Sequence, residues 1–92
     1  MTAIERRWYA AVAAIGSCVL CGQHGVQVAH QNEGRGVSQK SQPWQTAALC
    51  PECHHAIDNG ADLSQAERRS MMRLARCRTL DRLIETGRVA LK

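Results

Sequence analysis

The sequence contains no phenylalanine, and aromatic residues make up only 3% of its 92 residues. Large aromatic side chains supply much of the apolar surface that proteins bury, so the hydrophobic core is expected to be small and aliphatic. A domain of this length with a thin core often needs a disulfide or a metal ion in order to fold. The composition therefore directs attention to residues that can cross-link the chain.

The sequence also lacks any apolar run long enough to span a membrane. Residues 1–16 carry charges and a tryptophan where a secretory leader would be apolar, so no signal peptide is predicted. These absences favour a cytoplasmic protein without a membrane partner, and the length favours a single domain over residues 1–92. Because thiols stay reduced in the cytoplasm, the five cysteines are expected to bind metal in preference to forming disulfides.

Four of the five cysteines form two pairs with identical spacing. Cys18 and Cys21 have two residues between them, and Cys50 and Cys53 repeat that spacing. Two such pairs are typical of a structural Zn²⁺ site, because thiolates at this spacing in a tight turn reach one ion. A redox-active motif would need only one pair. The remaining cysteine, Cys77, is predicted to be a small buried apolar side chain.

The first helix is predicted over residues 3–15. Thr2 and Glu5 have the spacing of a capping box, in which each side chain bonds the other residue's backbone N–H. Apolar residues then recur at helical intervals, and Trp8 among them is expected to anchor the core. Gly16 is a natural stop after the last turn.

The middle of the chain, residues 16–60, is predicted to carry the metal site. Alternating apolar and polar residues predict two short strands that pair with each other, at 26–30 and 44–49. The polar segment between them is expected to be an exposed loop, and such loops often carry function. A proline suits the first turn of the following helix, predicted over residues 51–59. Trp44 is expected to lie in the core.

The last predicted element is a long helix over residues 64–87. Ser64 and Glu67 form a second capping box at its start. The apolar residues that follow do not lie on one straight stripe. The pattern therefore predicts either a break near residues 78–79 or a helix that meets two different surfaces.

The positive charge of the chain is concentrated in this last helix. The formal net charge is +4 and the isoelectric point is near 9.1. Three arginines share one helical face and are predicted to contact nucleic-acid phosphates, since guanidinium groups pair well with phosphate: Arg69, Arg73 and Arg76. Arg35 and Lys40 in the loop are predicted to join them. The alternative is that the stripe is only a solvated helix face.

Two histidines and an aspartate complete the pattern. His30 ends the first predicted strand, His54 directly follows the second cysteine pair, and Asp58 lies one turn later on the same helix face. The order of CxxC, strand, histidine, loop, strand, CxxCH and helix resembles that of the HNH, or ββα-metal, nuclease family, particularly its small phage- and prophage-encoded members. The resemblance covers residues 16–60 and is carried by Val19-Leu20-Cys21-Gly22, Val28-Ala29-His30, Gly34-Arg35-Gly36, Lys40 and Leu49-Cys50-Pro51-Glu52-Cys53-His54.

The resemblance implies an α+β, zinc-stabilised treble-clef domain with flanking helices and a metal-dependent endonuclease activity on DNA. It assigns His30 as the general base and makes His54 and Asp58 ligands of a catalytic Mg²⁺ or another divalent metal. The chemistry is consistent, because a histidine can take a proton from water near neutral pH. A cation stabilises the negative charge that develops on the phosphate.

The sequence departs from the family pattern at three places. Ala29 stands where the family usually has a metal-binding histidine or aspartate, and the central asparagine falls near Gln45 or Thr46. An aspartate or histidine that the family often has in the loop is replaced near Pro43. In an alternative register His30 is a metal ligand and Gln31, which cannot accept a proton, takes the place of the base. The second hypothesis is therefore a non-catalytic zinc module that binds nucleic acid or protein.

Overall fold

A computed structural model describes residues 2–30, 44–60 and 62–89, and the loop residues Arg35 and Lys40 lie outside these ranges. The described residues form an α+β structure with a two-stranded sheet, as predicted. Its elements are α1 (Ala3–Ala13), β1 (Gln27–His30), β2 (Thr46–Leu49), α2 (Pro51–Asn59) and α3 (Gln65–Glu85). Among the helices described, none has the length and apolar character needed to cross a membrane.

Helix α1 begins at the predicted capping box. The Glu5 backbone N–H donates to Thr2 Oγ1 at 3.1 Å, and the Thr2 N–H donates to the Glu5 carboxylate. The helix ends at Ala13, short of the predicted end at residue 15. After Ala13 the last turn tightens, because the Ile15 N–H donates to the Val12 carbonyl three residues back at 3.2 Å. Gly16 follows with a φ of +79°, in the left-handed region that glycine adopts without strain.

The two strands pair antiparallel, with Gln27 opposite Leu49 and His30 opposite Thr46. Both strands are shorter than the predicted ranges, because the backbone pairing stops at these residues. Trp44 lies before β2 begins and is 59% exposed, so the prediction that it belongs to the core is wrong. Its position ahead of the paired residues leaves it outside the layer that the helices cover.

The two faces of the sheet meet different helices. Trp8 of α1 packs against the core, and its Nε1 donates to Thr46 Oγ1 at 2.9 Å. The ring of Tyr9 meets the ring of His30 edge to face at 5.5 Å between centroids. Because side chains alternate along a strand, Gln27 lies on the opposite face from His30. Gln27 faces α2.

The outer edge of β2 is covered by two other parts of the chain. Ala48 accepts a hydrogen bond from the Val19 backbone N–H at 3.1 Å, and its own N–H donates to Thr79 Oγ1 at 3.1 Å. Thr79 in turn donates to the carbonyl of Ala75 at 2.7 Å. Because an open strand edge invites pairing with other chains, these contacts both fix α3 and protect the sheet.

Helix α3 is unbroken and ends at Glu85, so of the two predicted alternatives the break near residues 78–79 is excluded. Its buried residues form one straight stripe: Met72, Ala75, Thr79 and Leu83. Thr79 interrupts the apolar pattern in the sequence, yet its hydroxyl is satisfied inside the core. Cys77 is exposed, contrary to the prediction, because it lies about 200° around the helix from the buried Ala75.

Replacing Thr79 by valine is expected to destabilise the fold by about 1–3 kcal/mol, because the substitution leaves the buried Ala48 N–H without an acceptor. The measurement is urea unfolding, with a lower midpoint and an unchanged slope. Thr86→Val is the matched control, since the Thr86 hydroxyl is exposed and only donates to a helix carbonyl. Similar losses in both variants would show that the bond between α3 and β2 contributes little.

Candidate metal centres

The first cysteine pair lies in a tight turn after α1. The Gly22 N–H donates to the Cys18 carbonyl at 2.9 Å, and the Cys18 N–H donates to the Gln23 carbonyl at 2.8 Å. Gly22 has a φ of +81°, in the left-handed region that residues other than glycine rarely adopt, so glycine suits this position of the turn. The turn brings the thiols of Cys18 and Cys21 to one side.

The second pair is presented by the first turn of α2. Cys50 is the N-cap, and its Sγ accepts from the Cys53 backbone N–H at 3.5 Å. Pro51 takes the first helical position, where its missing N–H removes no intrahelical bond. The positive end of the helix dipole therefore lies next to these sulfurs and favours their thiolate form.

The four paired cysteines converge in space. Their Sγ atoms all lie within 4.8 Å of one another, and those of Cys21 and Cys50 are 3.6 Å apart. Sulfur ligands of a tetrahedral zinc ion at about 2.3 Å lie about 3.8 Å from each other, so the spacing fits. The predicted set Cys18, Cys21, Cys50 and Cys53 can thus hold a metal ion such as zinc. It is the only such group of three or more ligands within residues 2–30, 44–60 and 62–89.

The thiols of this cluster differ in acidity. Burial raises the pKa of Cys18, but the backbone N–H groups of Cys50, Cys21 and Leu20 outweigh it and lower the pKa to about 6. The Cys53 N–H lowers the pKa of Cys50, yet desolvation and the neighbouring thiols raise it overall. Desolvation, followed by the other three sulfurs, raises the pKa of Cys53. Four thiolates can therefore coexist here only around a cation.

Arg78 contributes a positive charge near the first cysteine pair, which sequence reasoning missed. Its Nη1 donates to the carbonyl of Val19 at 3.1 Å. A zinc ion with four thiolates carries about two negative charges. The Arg78 guanidinium, which belongs to α3 and binds the loop between the first two cysteines, therefore interacts favourably with the loaded site. The sequence offers no signal for this contact, because it joins residues that are far apart in the chain.

The second site lies one residue beyond the last cysteine. His54 Nε2 and Asp58 Oδ2 are 3.0 Å apart, and their side chains are 26% and 28% exposed. The other ring nitrogen, Nδ1, lies 2.8 Å from Gln27 Oε1. The structure therefore brings His54 and Asp58 together, as their spacing predicted, and adds Gln27, for which the sequence predicted only a place in a strand.

An open cleft of about 390 Å³ surrounds this pair. It is lined by Gln27, Pro51, His54, His55, Asp58 and Asn59. His55 is exposed and borders the cleft. Arg68 holds this end of α2 in place, since its Nη1 donates to the Asp58 carbonyl at 3.2 Å.

His30 does not line the cleft. It lies three residues along β1 from Gln27, a distance of about 10 Å for an extended chain, and its ring packs on Tyr9 on the other face of the sheet. Ala29, which shares the face of Gln27, is buried and offers only a methyl group. The predicted base thus lies on the face of the hairpin opposite to the one that meets α2, and α2 carries the predicted metal ligands.

Two of the three predicted phosphate-binding arginines of α3 are exposed. Arg69 and Arg73 lie one turn apart on the surface, and Arg76, one turn further, is half-buried. The three share one side of the helix, adjacent to the stripe that packs on β2. Their guanidinium groups provide positive charge on one side of α3.

Comparison with protein-family models, with curated proteins and with solved structures finds no match to this chain. Within the described ranges, the fold consists of three helices and a two-stranded sheet.

Proposed function

We propose that this protein is a metal-dependent endonuclease of the HNH type, which hydrolyses phosphodiester bonds in DNA on a zinc-stabilised treble-clef scaffold. The observation that carries the proposal is the pairing of His54 with Asp58 at an open cleft. One short helix holds two cysteines of the zinc cluster at its start and this pair one turn later. The structural metal would therefore fix the position of the catalytic one.

The His54–Asp58 pair fits a divalent cation. Adjacent ligands of an octahedral ion at about 2.1 Å lie about 3.0 Å apart, which is the separation of Nε2 and Oδ2. One imidazole and one carboxylate leave the other positions to water and to phosphate oxygens, as Mg²⁺ sites of phosphate-processing enzymes usually do. Mn²⁺ accepts the same ligands and tolerates the imidazole better.

The residues divide the chemistry between them. A bound cation stabilises the negative charge that develops on the phosphate and on the leaving oxygen. His54 and Asp58 would hold that cation at the cleft. His30 would take the proton of the attacking water as the general base. This role requires that a phosphate bound at the cleft come within hydrogen-bond reach of His30, whose ring packs on Tyr9 on the other face of the hairpin.

Charge supports DNA as the substrate. Arg69 and Arg73 are exposed residues of α3, and Arg76 extends the same side. Guanidinium groups bind phosphate in a bidentate manner and supply sequence-independent affinity. We further propose a reducing, cytoplasmic setting, because metal-binding thiols require one.

A second function, a non-catalytic zinc module that binds nucleic acid or protein, is favoured by one observation. Ala29 offers only a methyl group, and His30 packs on Tyr9. Among the described residues, the histidines that line the cleft are His54 and His55. In that function the cysteine cluster serves the fold alone, and the arginines of α3 make the contact.

Nicking of a supercoiled plasmid separates the two functions. With Mn²⁺ or Mg²⁺ present, wild type is expected to nick the plasmid, and His30→Ala to do so about 10²–10⁴ times more slowly, because the base is lost. His24→Ala is the matched control, since His24 is an exposed histidine outside the cleft. Both variants must retain zinc and the wild-type unfolding temperature.

The outcomes point in different directions. A His30→Ala variant that cuts as fast as wild type would remove His30 from the mechanism and direct attention to His55 in the cleft. A wild type that cuts no nucleic acid with any divalent metal would support the binding module. In that case the affinity for DNA should fall steeply with salt, and replacing Arg69 and Arg73 should lower the slope by about 2.

A further inference from the structure

We infer that the outward side of α3 binds α3 of a second copy of this chain, antiparallel and with the twofold axis at Cys77, so that the protein is a homodimer. The observation that carries the inference is a second row of apolar side chains on a helix whose first row is already buried. The inference goes beyond the proposed nuclease function, because it uses no residue of the cysteine cluster or of the cleft.

The outward side of α3 carries apolar residues that the fold leaves exposed. Leu74, Leu80 and Ile84 are 46%, 44% and 46% exposed, and Cys77 between them is exposed as well. At 100° per residue, Cys77 lies about 155° around the helix from the centre of the buried stripe. Cys77, Leu80 and Ile84 follow one another at intervals of three and four residues, the spacing of a seam between two packed helices. Because the helix is unbroken, its irregular apolar pattern indicates a second contact surface.

The arrangement of residues about Cys77 identifies a second copy as the occupant. In an antiparallel pair with a twofold axis at this residue, each residue lies level with the residue equally far on the other side of Cys77 in the second copy. Leu74 and Leu80 are each three residues from Cys77, so the axis sets leucine level with leucine. Arg73 and Asp81 are each four residues away, so it sets a guanidinium group level with a carboxylate at both ends of the contact.

The charges favour the antiparallel direction. Arg73 and Asp81 lie about 40° to either side of Cys77, so both flank the seam, where charged residues set the choice and orientation of a partner helix. In a parallel pair the two Arg73 side chains would lie level with each other, and so would the two Asp81 side chains. The guanidinium group of Arg73 has five N–H donors, so binding this carboxylate leaves donors for a nucleic-acid phosphate.

The mass in solution is the first test. Sedimentation equilibrium of the zinc-loaded protein is expected to give twice the chain mass of 10.1 kDa. Leu80→Lys should give the mass of one chain with wild-type zinc content and circular dichroism, because it places a charge in the seam and leaves the core intact. Ile4→Lys is the matched control, since Ile4 is an apolar residue of α1 that is 75% exposed, and this variant should remain a dimer.

Three results of this experiment would overturn the inference. They are a wild type with the mass of one chain, a Leu80→Lys variant that dimerises as the wild type does, and an Ile4→Lys variant that loses the dimer, which would place the interface on α1.

Charge reversal tests the register of the two helices. Within one chain Arg73 and Asp81 are about 12 Å apart along the helix axis, so coupling between them reports a contact between copies. Arg73→Asp and Asp81→Arg are each expected to weaken the dimer about tenfold, because each replaces two exposed ion pairs by like charges. The double variant should regain most of the affinity. If the double variant is no tighter than the single ones, the register is wrong.

Thiol cross-linking tests the position of the twofold axis. Helix axes 8–10 Å apart place two facing Cys77 Cα atoms about 4–5 Å from each other, a separation that a disulfide spans. Diamide is expected to join two zinc-loaded chains through Cys77, while zinc protects the four clustered thiols. Ser70→Cys in a Cys77→Ser background is the matched control, because residue 70 lies two turns away on the same side and about 21 Å from its counterpart. Chains that link through residue 70, or that fail to link through Cys77, would overturn the antiparallel dimer.

Discussion

Replacing Cys50 by serine is expected to leave the chain unfolded at room temperature and without bound zinc. Serine is itself a good N-cap, so the substitution keeps the cap of α2 and removes a metal ligand. Structural zinc sites contribute an apparent free energy of about 10–16 kcal/mol, whereas whole domains are stable by only about 5–15 kcal/mol. The loss should therefore exceed the stability of the fold.

The small core explains why the fold is not expected to be stable without zinc. Its largest fully buried side chains are leucine, valine and threonine, and the two tryptophans lie only partly buried or exposed. Several of its fully buried members are alanines, which contribute little apolar area. A metal that joins the turn after α1 to the start of α2 replaces the missing core as the main cross-link.

The measurement is thermal unfolding by circular dichroism together with zinc content. Cys77→Ser is the matched control, because Cys77 is an exposed thiol outside the cluster and its replacement should change the free energy of unfolding by less than about 0.5 kcal/mol. The role assigned to the cluster would be refuted by a zinc-free Cys50→Ser protein that melts with the wild-type transition.

Because the fold depends on zinc, its stability is expected to change with pH in a defined direction. The raised pKa values of Cys50 and Cys53 mean that these thiols hold protons in the metal-free fold at neutral pH. Zinc binding must release those protons, so zinc affinity rises with pH. The stability that zinc supplies should accordingly be present at neutral pH and be lost as the pH falls.

Replacing His54 by alanine is expected to abolish Mn²⁺ binding in the cleft and Mn²⁺-dependent DNA cleavage while zinc stays bound. Loss of an outer residue alone costs about 10–100-fold in metal affinity, so loss of a direct ligand should cost more than about 100-fold. Asp58→Asn keeps the shape of the side chain and one oxygen, and should weaken Mn²⁺ binding by a smaller factor. Calorimetry and plasmid nicking measure the two effects.

Two controls make this result specific. His24→Ala removes another exposed histidine without touching the cleft, and should bind Mn²⁺ and cut DNA as wild type does. Cys53 directly precedes His54, so a change at His54 could disturb the zinc cluster. Zinc content and unfolding temperature are therefore measured in every variant and should match wild type. If His54→Ala binds Mn²⁺ normally, the metal site is elsewhere and the proposed mechanism fails.

Much of the fold was accessible from the sequence because its signals are local. Capping boxes marked the starts of α1 and α3, Pro51 marked α2, and the spacing of the cysteines gave the cluster. The errors concern long-range packing. Thr79 occupies a core position because its hydroxyl meets the edge of β2, and no local pattern reveals that partner. Cys77 is exposed for the same reason, since the true stripe includes that threonine.

The second site was predicted only in part. The interval between His54 and Asp58 places them on one face of a helix, and this could be deduced without a structure. The contact between Gln27 and His54 could not be predicted, because it depends on which face of the hairpin α2 packs against. The position of the His30 side chain depends on the same packing. His30 is three residues from Gln27 in β1, so its side chain points to the opposite face, the one that meets α1.

Anomalous diffraction from crystals of zinc-loaded protein soaked in Mn²⁺ would test most directly whether α2 carries two metals. We expect one zinc peak among the sulfurs of the four paired cysteines, and one manganese peak within about 2.3 Å of both His54 Nε2 and Asp58 Oδ2. The proposal is contradicted if the zinc peak is present, the cleft holds no manganese, and His54 still contacts Asp58 directly.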